Sequence, residues 1–409
     1  MKIRYIITVL TFFSGIVTSE GQIAGCPDRL AINYNPSATV NNGSCLYNPA
    51  NVKPVATLEL PSAVNETSGL ILWNNYIWTH NDNTDTNLYG LDTANGSISE
   101  IIALTGVVNT DWEEISQDEN FIYIGDFGNN AGNRTDLRII RIGKNSLLEG
   151  SPQTEIIEFS YSDQTDFDPD DINKTDFDCE AFIISRDSVY LFTKEWVSRE
   201  TTIYSLPKTP GNHVAQRRSS LNVGGLITGS VFLEDLRVIV LSGYNKTLDP
   251  FLYLLYDFTG DDYFGGNKRK IDVLLPSHQT EGITSSDGIR FYLSNERFAF
   301  QPLINVPQKI HMLNLSSFLG NYLGLPIPIP GAENNFIISP VPARDMVTVK
   351  SLPSLLPSDF SLINLNGSIV MEGVLDSEEA MINISGLSPG TYILKIGMEK
   401  KNALKVIKI

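Results

Sequence analysis

The chain reads as all-β, a five-bladed β-propeller followed by a small C-terminal β-sandwich, on three observations. First, no amphipathic pattern with a 3.6-residue period persists for ten residues between Val55 and Leu315. Second, short apolar runs punctuated by Gly, Asn and Asp fill that stretch, as many short strands would. Third, one unit recurs: a small or acidic start, an apolar strand, a polar turn and a second strand ending in aromatic and polar residues. Its copies are "ETSGLILWNNYIWTHND" from 66, "DWEEISQDENFIYIGDF" from 111, "DCEAFIISRDSVYLFTKE" from 178, "TGSVFLEDLRVIVLSGY" from 228 and "TEGITSSDGIRFYLSNE" from 280.

A third strand follows each copy, for example "NLYGLD" or "LRIIRI", and four copies have a fourth, such as "SISEIIAL" or "TEIIEFSY". The last copy lacks its own fourth strand, while "VATLEL" at 55–60 precedes the first copy with no sheet of its own. Lending that strand to the last copy closes a ring of four-stranded sheets, and radial closure leaves only short, protected edges. The long segment 143–177 leaves room for a six-bladed alternative.

Before the propeller, residues 1–19 carry Lys2 and Arg4 ahead of an apolar run from Tyr5 to Val17, then small residues, the pattern of a secretory signal peptide. No later run reaches the roughly 20 apolar residues of a membrane helix. Residues 20–50 form a polar two-cysteine module in which export permits a Cys26–Cys45 disulfide. Cys179 is left as a small buried residue. The propeller spans 51–325, a linker 326–333, and the tail 334–409 has strand alternation with turns at Asn366-Gly367 and Pro389-Gly390, as in a small sandwich. The formal net charge is −17, which argues against nucleic acid as a partner and for bound cations.

Aligning the copies on their first strand puts Ser68, Glu113, Glu180, Gly229 and Glu281 in one column, with Glu66, Asp111, Asp178, Ile227 and Gln279 two residues earlier. Residues two apart share a strand face. The second strand returns to the same rim and brings Asp82, Asp126, Lys194, Glu195, Asn295 and Glu296 near these columns. If the first strands are innermost, carboxylates from several sheets converge at one mouth of the central channel. Converging carboxylates raise one another's pKa or require a cation, and an oxygen-rich ring suits Ca²⁺ better than Zn²⁺. The expected metal ligands are Glu66, Asp82, Asp111, Glu113, Asp126, Asp178, Glu180 and Glu281; Trp112, Arg134, Lys194 and Asn295 are expected to meet a ligand. The competing reading has Glu113, Glu180 and Glu281 tie down backbone N–H groups without a metal. "DQTDFDPDDINKTDFDCE" spaces Asp166, Asp168 and Asp170 like a calcium loop, but Asp171 stands where Gly is needed and no Glu closes it, so it reads as a solvated acidic insertion. "GDFGNNAGNR" precedes no helix and reads as a turn. No GxSxG, HExxH or paired CxxC motif is present.

Through "FIISPVPARDMVTVK", "FSLINLNGSIV", "INISGLSPGTYILKI" and "KVIKI", the tail resembles the C-terminal sorting domain of the Bacteroidota type IX secretion system, with Val341 where Asn is commoner between the prolines. That resemblance implies contact with the type IX machinery and delivery to the medium or the outer cell surface. "GCPDRLAINYNPSATVNNGSC" resembles a two-cysteine module of secreted Bacteroidota proteins. Through "THND", "DWEEI", "IGDFGNN" and "TEGI" the central region resembles propellers of these bacteria, and more distantly the phytase-like and SdiA-regulated propellers. A fainter likeness to calcium-activated nucleotidases rests on Asp82 and on the acidic-Trp pair before "FIYIGDFG". The functional expectation is an exported propeller that binds a small molecule, glycan or protein, and Ca²⁺, at one channel mouth. The alternative is a metal-dependent hydrolase of phosphate esters or other small substrates, with a rim metal activating water.

Overall fold

The computed structural model describes residues 22–169, 171–300, 304–324, 336–351, 355–364, 368–397 and 402–409. The signal segment, Asp170, the linker 326–333 and the Asn366-Gly367 turn lie outside the described residues.

Each repeat copy builds an antiparallel sheet in chain order. The first sheet contains Ile71–Trp73, Tyr76–Thr79, Asn87–Asp92 and Ile98–Ala103; the second contains Trp112–Gln117, Phe121–Asp126, Arg138–Gly143 and Thr154–Tyr161. The third runs Asp178–Ser185, Ser188–Lys194, Glu200–Pro207 and Gly211–Asn222, and the fourth Leu226–Leu233, Val238–Tyr244, Pro250–Tyr256 and Asn267–Val273. In the last sheet, Thr280–Thr284, Arg290–Asn295 and Lys309–Asn314 are joined by Ala56–Glu59, which pairs antiparallel to Lys309–Met312. The N-terminal strand thus completes the last sheet. Segment 143–177 supplies a short helix, Lys144–Leu148, and the outer strand of the second sheet.

Two features were not visible in the repeat pattern. Thr154–Tyr161 pairs in parallel with residues 211–215, joining the second and third sheets along their outer edges. A hairpin of Phe298–Phe300 and Ile304–Val306 is inserted into the last sheet.

Burial changes from the inside outward. Every residue of Asp178–Ser185 is buried, whereas Thr154–Tyr161 alternates between exposed and buried positions. First strands are covered on both faces, so even the largely polar Thr280–Thr284 is buried throughout, whereas outer strands have one wet face. The first strands touch their neighbours in sequence, and the strand of the last sheet also touches that of the first. Between neighbouring sheets lie apolar layers. Phe127 meets Phe182 edge-on at 5.4 Å between the second and third sheets, a geometry aromatic quadrupoles favour. Leu60, Leu70, Ile77 and Ile310 pack the last sheet back onto the first.

The Cys26–Cys45 disulfide closes the small module. Asp28 accepts hydrogen bonds from Tyr47 and from Tyr256 of the fourth sheet, at 2.8 and 2.7 Å, so the module is anchored on that sheet. In the tail, Phe336–Ser339, Met346–Ser351 and Glu379–Asn383 form one sheet; Ile369–Leu375, Ser358–Asn364, Gly390–Ile396 and Asn402–Lys408 form a second. Val347, Val349, Leu362 and Leu394 are among the buried residues of their shared core.

Candidate functional site

The acidic column is built from β-bulges. Asp126 pairs with Trp112 and Gly125 with Glu114, so Glu113 is the extra residue on its strand. Glu180 is extra between Cys179 and Ala181 in the same way, and Glu281 falls within the irregularity between Thr280 and Ile283. A bulge turns its side chain out of the regular alternation. In the fourth sheet the extra residue is Thr228, so the sequence column is one residue out of phase there. Gly229 has another task. A Cβ on it would stand 2.2 Å from the Glu281 carbonyl oxygen, so only glycine permits this approach of two first strands.

These bulges open onto a polar cavity of about 230 Å³. Glu66, Asp82, Asp111, Glu113, Glu180, Glu281, Glu296 and Lys194 line it, with Ser68, Gln279, Trp196 and Tyr244. Six of the eight expected metal ligands therefore meet in one space. Ligand oxygens of Glu66, Asp82 and Glu296 all lie within 4.8 Å of one another, the one such group among the described residues. Lys194 Nζ is paired with Glu180 Oε1 and stands 4.8 Å from the Trp196 ring and 5.8 Å from that of Tyr244.

Asp126 and Asp178 are the two exceptions, because both are consumed by donors. Asp126 is fully buried and holds Arg134 Nη2 at 3.0 Å and Arg138 Nη2 at 2.7 Å. Asp178 accepts from the backbone N–H groups of Asn129 and Cys179, at 2.6 and 3.0 Å, and from Trp196 Nε1 at 2.8 Å. Three expected ligand contacts are likewise engaged elsewhere. Trp112 is fully buried edge-on against His80, its ring 5.7 Å away. Arg134 bonds Asp126, Asp136 and the Gly128 carbonyl. Asn295 donates to the carbonyls of Glu296 and Pro307, and its Oδ1 meets His311 Nε2 at 2.9 Å. Glu195 turns away to Thr193 and Ser198.

The task of tying down backbone N–H groups falls to a different acid. Glu114, fully buried, takes the N–H of Ile115 on Oε1 at 3.0 Å and the N–H of Ser230, from the fourth sheet, on Oε2 at 2.7 Å. It links first strands of separate sheets. Among the described residues no backbone N–H reaches the side-chain oxygens of Glu113, Glu180 or Glu281, and Glu180 Oε2 is buried without any partner.

The electrostatics follow from this crowding. Burial, and then the charges of Glu66 and Asp111, push the Asp82 carboxyl up to about 7. Burial and Asp178 push Asp111 up to about 6. Burial also lifts Glu180 to about 8 despite Lys194, and Glu296 to about 8 with help from Asp82 and Glu66. Glu113 and Glu281 are raised well above the carboxylate range by burial and by Glu180. Lys194 is held well above its ordinary value: burial opposes its charge, but Glu180 and the surrounding acids outweigh it. A positive charge is strongly favoured here.

Sequence reasoning left out several lining residues. Asn130 comes from the "GDFGNN" turn and Asn173 from the acidic insertion, and the Asn173 N–H bonds the Asn130 carbonyl at 2.7 Å, so the insertion folds against the cavity mouth. Neither carries a repeat signal. Glu296, next to Asn295 at the end of a second strand, stood beside the column without being singled out as a metal ligand.

Residues 338–409 match the family described as the secretion system C-terminal sorting domain. The protein is therefore a type IX cargo, secreted or displayed at the outer surface. No helix among the described residues is long and apolar enough to cross a membrane. No curated protein matches the sequence. Among solved structures, PorZ, a surface component of the type-IX secretion system of Porphyromonas gingivalis, is 11% identical over 84% of this chain and 45% of its own, with a TM-score of 0.32. The chain thus spans less than half of that protein. A chain of the mitotic checkpoint complex is 12% identical over 65% of this chain and 93% of its own, with a TM-score of 0.32. The WD40 repeats of RRP9 are 9% identical over 61% and 67%, with a TM-score of 0.29.

Proposed function

We propose that this surface or secreted protein is a five-bladed propeller that binds a divalent cation of the calcium class at the acidic mouth of its channel, and through that cation a small ligand. The observation that carries this reading is the convergence of Glu66, Asp82 and Glu296 oxygens within 4.8 Å, in a cavity where the carboxylates outnumber the single ammonium seven to one. Hard oxygen donors with no lining His or Cys favour calcium over zinc or copper. A dication would also replace the protons that the crowded carboxyls otherwise retain. A cavity of about 230 Å³ suits an ion with its waters and one small polar group of a ligand.

The test is calorimetric titration of the purified chain with Ca²⁺, alongside Glu296→Gln and Asp82→Asn. Saturable binding with a Kd of about 10⁻⁴–10⁻³ M, the range of extracellular calcium modules, is expected, with at least a tenfold loss in each variant. Absence of binding at about 10 mM Ca²⁺, roughly ten times the weak end of that range, would overturn the reading. Calcium-dependent turnover in a panel of phosphate esters would move it to the hydrolase alternative.

A further inference from the structure

A second concave surface lies where the first and last sheets meet, away from the acidic cavity. The turn between Trp73 and Tyr76 joins the first two strands of the first sheet, and the turn at Asp287 leads into Arg290–Asn295 of the last. Ser68, Asp82 and Glu296 stand toward the other ends of these strands, at the cavity. Between the two turns is a groove of about 440 Å³, within the ~300–1,000 Å³ of small-molecule sites. We propose that this groove binds uncharged sugar residues of a glycan, on the aromatic side chains of Trp73, Tyr76 and Tyr292. The site is separate from the proposed cation site and stands or falls without it.

The first argument is the aromatic lining. A pyranose ring presents C–H groups on its faces and hydroxyls around its edge, so it needs apolar rings to lie on and polar groups beside them. Trp73, Tyr76 and Tyr292 are half-buried and line the groove. Trp73 Nε1 and the two tyrosine hydroxyls have no protein partner among the described residues. Side chains with an apolar body and a wet polar tip match a ligand built the same way. Trp78, 2% exposed, packs against two of them, its ring 5.6 Å from that of Trp73 and 6.2 Å from that of Tyr76. The rings are thus held in place before a ligand arrives, which lowers the entropy lost on binding.

The second argument is the polar edge. Asn74 and Asn75 are exposed at the groove, and their side-chain amides, each able to donate and accept, bond no other described residue. Asp287 Oδ1 accepts the N–H groups of Ile289 and Arg290 at 2.9 and 2.7 Å, and its Oδ2 accepts Arg290 Nε at 2.9 Å. Held through Nε, the guanidinium keeps its Nη groups for hydroxyl oxygens of a ligand. The third argument is charge. Asp287 and Arg290 are the charged residues of the lining and cancel, while a net charge of −17 on the whole chain repels acidic polysaccharides and nucleotides. Both facts select an uncharged ligand rich in hydroxyls.

The test is calorimetric titration of the full chain in EDTA with linear hexasaccharides of glucose (α-1,4, β-1,3 and β-1,4), xylose and mannose, with tryptophan emission recorded in parallel. At least one should bind saturably with a Kd of about 1 mM or tighter and shift the emission of Trp73. Tyr292→Ala should weaken that binding at least tenfold. Asn74 and Asn75 have φ of 48° and 69°, so Asn75→Gly removes an amide and keeps the turn, and it too should weaken binding without lowering the melting temperature. Glu296→Gln, in the acidic cavity, should leave sugar binding unchanged. No binding of any hexasaccharide at about 10 mM, roughly ten times the expected Kd, would overturn the proposal. Binding that ignores both groove variants, or that is lost in Glu296→Gln, would also overturn it by placing the sugar elsewhere. None of these results touches the cation reading, which is measured by Ca²⁺ titration alone.

Discussion

Glu113 and Glu114 are neighbours in the chain, and the structure requires opposite responses to the same substitution. Glu114 is fully buried, and each of its oxygens accepts one backbone N–H, from Ile115 and Ser230. Glutamine offers only one acceptor oxygen. Its amide nitrogen would face the second N–H, leaving a buried donor unmatched at a cost of about 1–3 kcal/mol. In a domain of this size each kcal/mol lowers the melting temperature by roughly 2–4 °C, so Glu114→Gln should melt about 4–8 °C lower for a cost of ~2 kcal/mol. Glu113 accepts no backbone N–H and faces like charges from Glu180 and Asp111. Glu113→Gln removes part of that repulsion. In EDTA its melting temperature should therefore stay level or rise. Calcium should narrow the gap between them. Saturating an ion at about 100 times its Kd stabilises the wild type by ~2.7 kcal/mol, and Glu113→Gln should forgo part of this. Calorimetric melts with EDTA and with Ca²⁺ give all the values needed. If the two variants lose stability equally in EDTA, the division into a backbone-tying and a cation-facing carboxylate is wrong.

Asp126→Asn should destabilise the protein by about 2–4 kcal/mol, since it leaves Arg134 and Arg138 without their shared anion, yet keep the wild-type calcium shift because Asp126 does not line the cavity. The pH response of the metal-free protein follows from Asp82 at about 7 and from Glu180 and Glu296 at about 8. Carboxyls whose folded pKa lies above the unfolded value of about 4 bind their protons more tightly in the fold. Their contribution to stability is complete below about pH 4 and is lost as pH rises through about 7–8. Melting in EDTA should therefore fall between about pH 5 and 8.5, and calcium should flatten that fall; a rise over the same range would contradict the raised values. Cys45→Ser opens a loop of 19 residues, worth about 3 kcal/mol in the chain-entropy model. It should expose residues 22–50 to limited proteolysis while the five sheets resist, and equal resistance of both parts would show that the hydrogen bonds of Asp28, Asn41 and Gly43 to the fourth sheet hold the module without the disulfide.

The repeat was legible because each copy solves the same problem: two short strands joined by a polar turn, the second of them an apolar run such as Phe121–Asp126 or Val238–Tyr244, buried between neighbouring sheets. Pairing of the N-terminal strand with the last sheet was legible for a related reason, since an unmatched strand at one end and a missing one at the other leave edges that closure removes. The acidic column was visible as residue types at a common phase. What each acid does was not. In Asp111, Glu113, Glu114 and Asp126 the sequence shows four carboxylates within sixteen residues, and nothing local tells the two that face the cavity from the two that hold arginines or backbone N–H groups.

By itself, then, the amino-acid order determined the strands, the ring-closing segment, the disulfide module and the exported destination, because all of these are written in periodicity, composition and short local signals. Only the tertiary structure decided which acids remain without donors. Bulges at Glu113, Glu180 and Glu281 shift the side chains off simple alternation. Their surroundings come from other strands, Lys194 of the neighbouring strand beside Glu180 and acids of separate sheets beside Glu113 and Glu281, and the energy of a buried carboxylate depends on those neighbours far more than on its own segment.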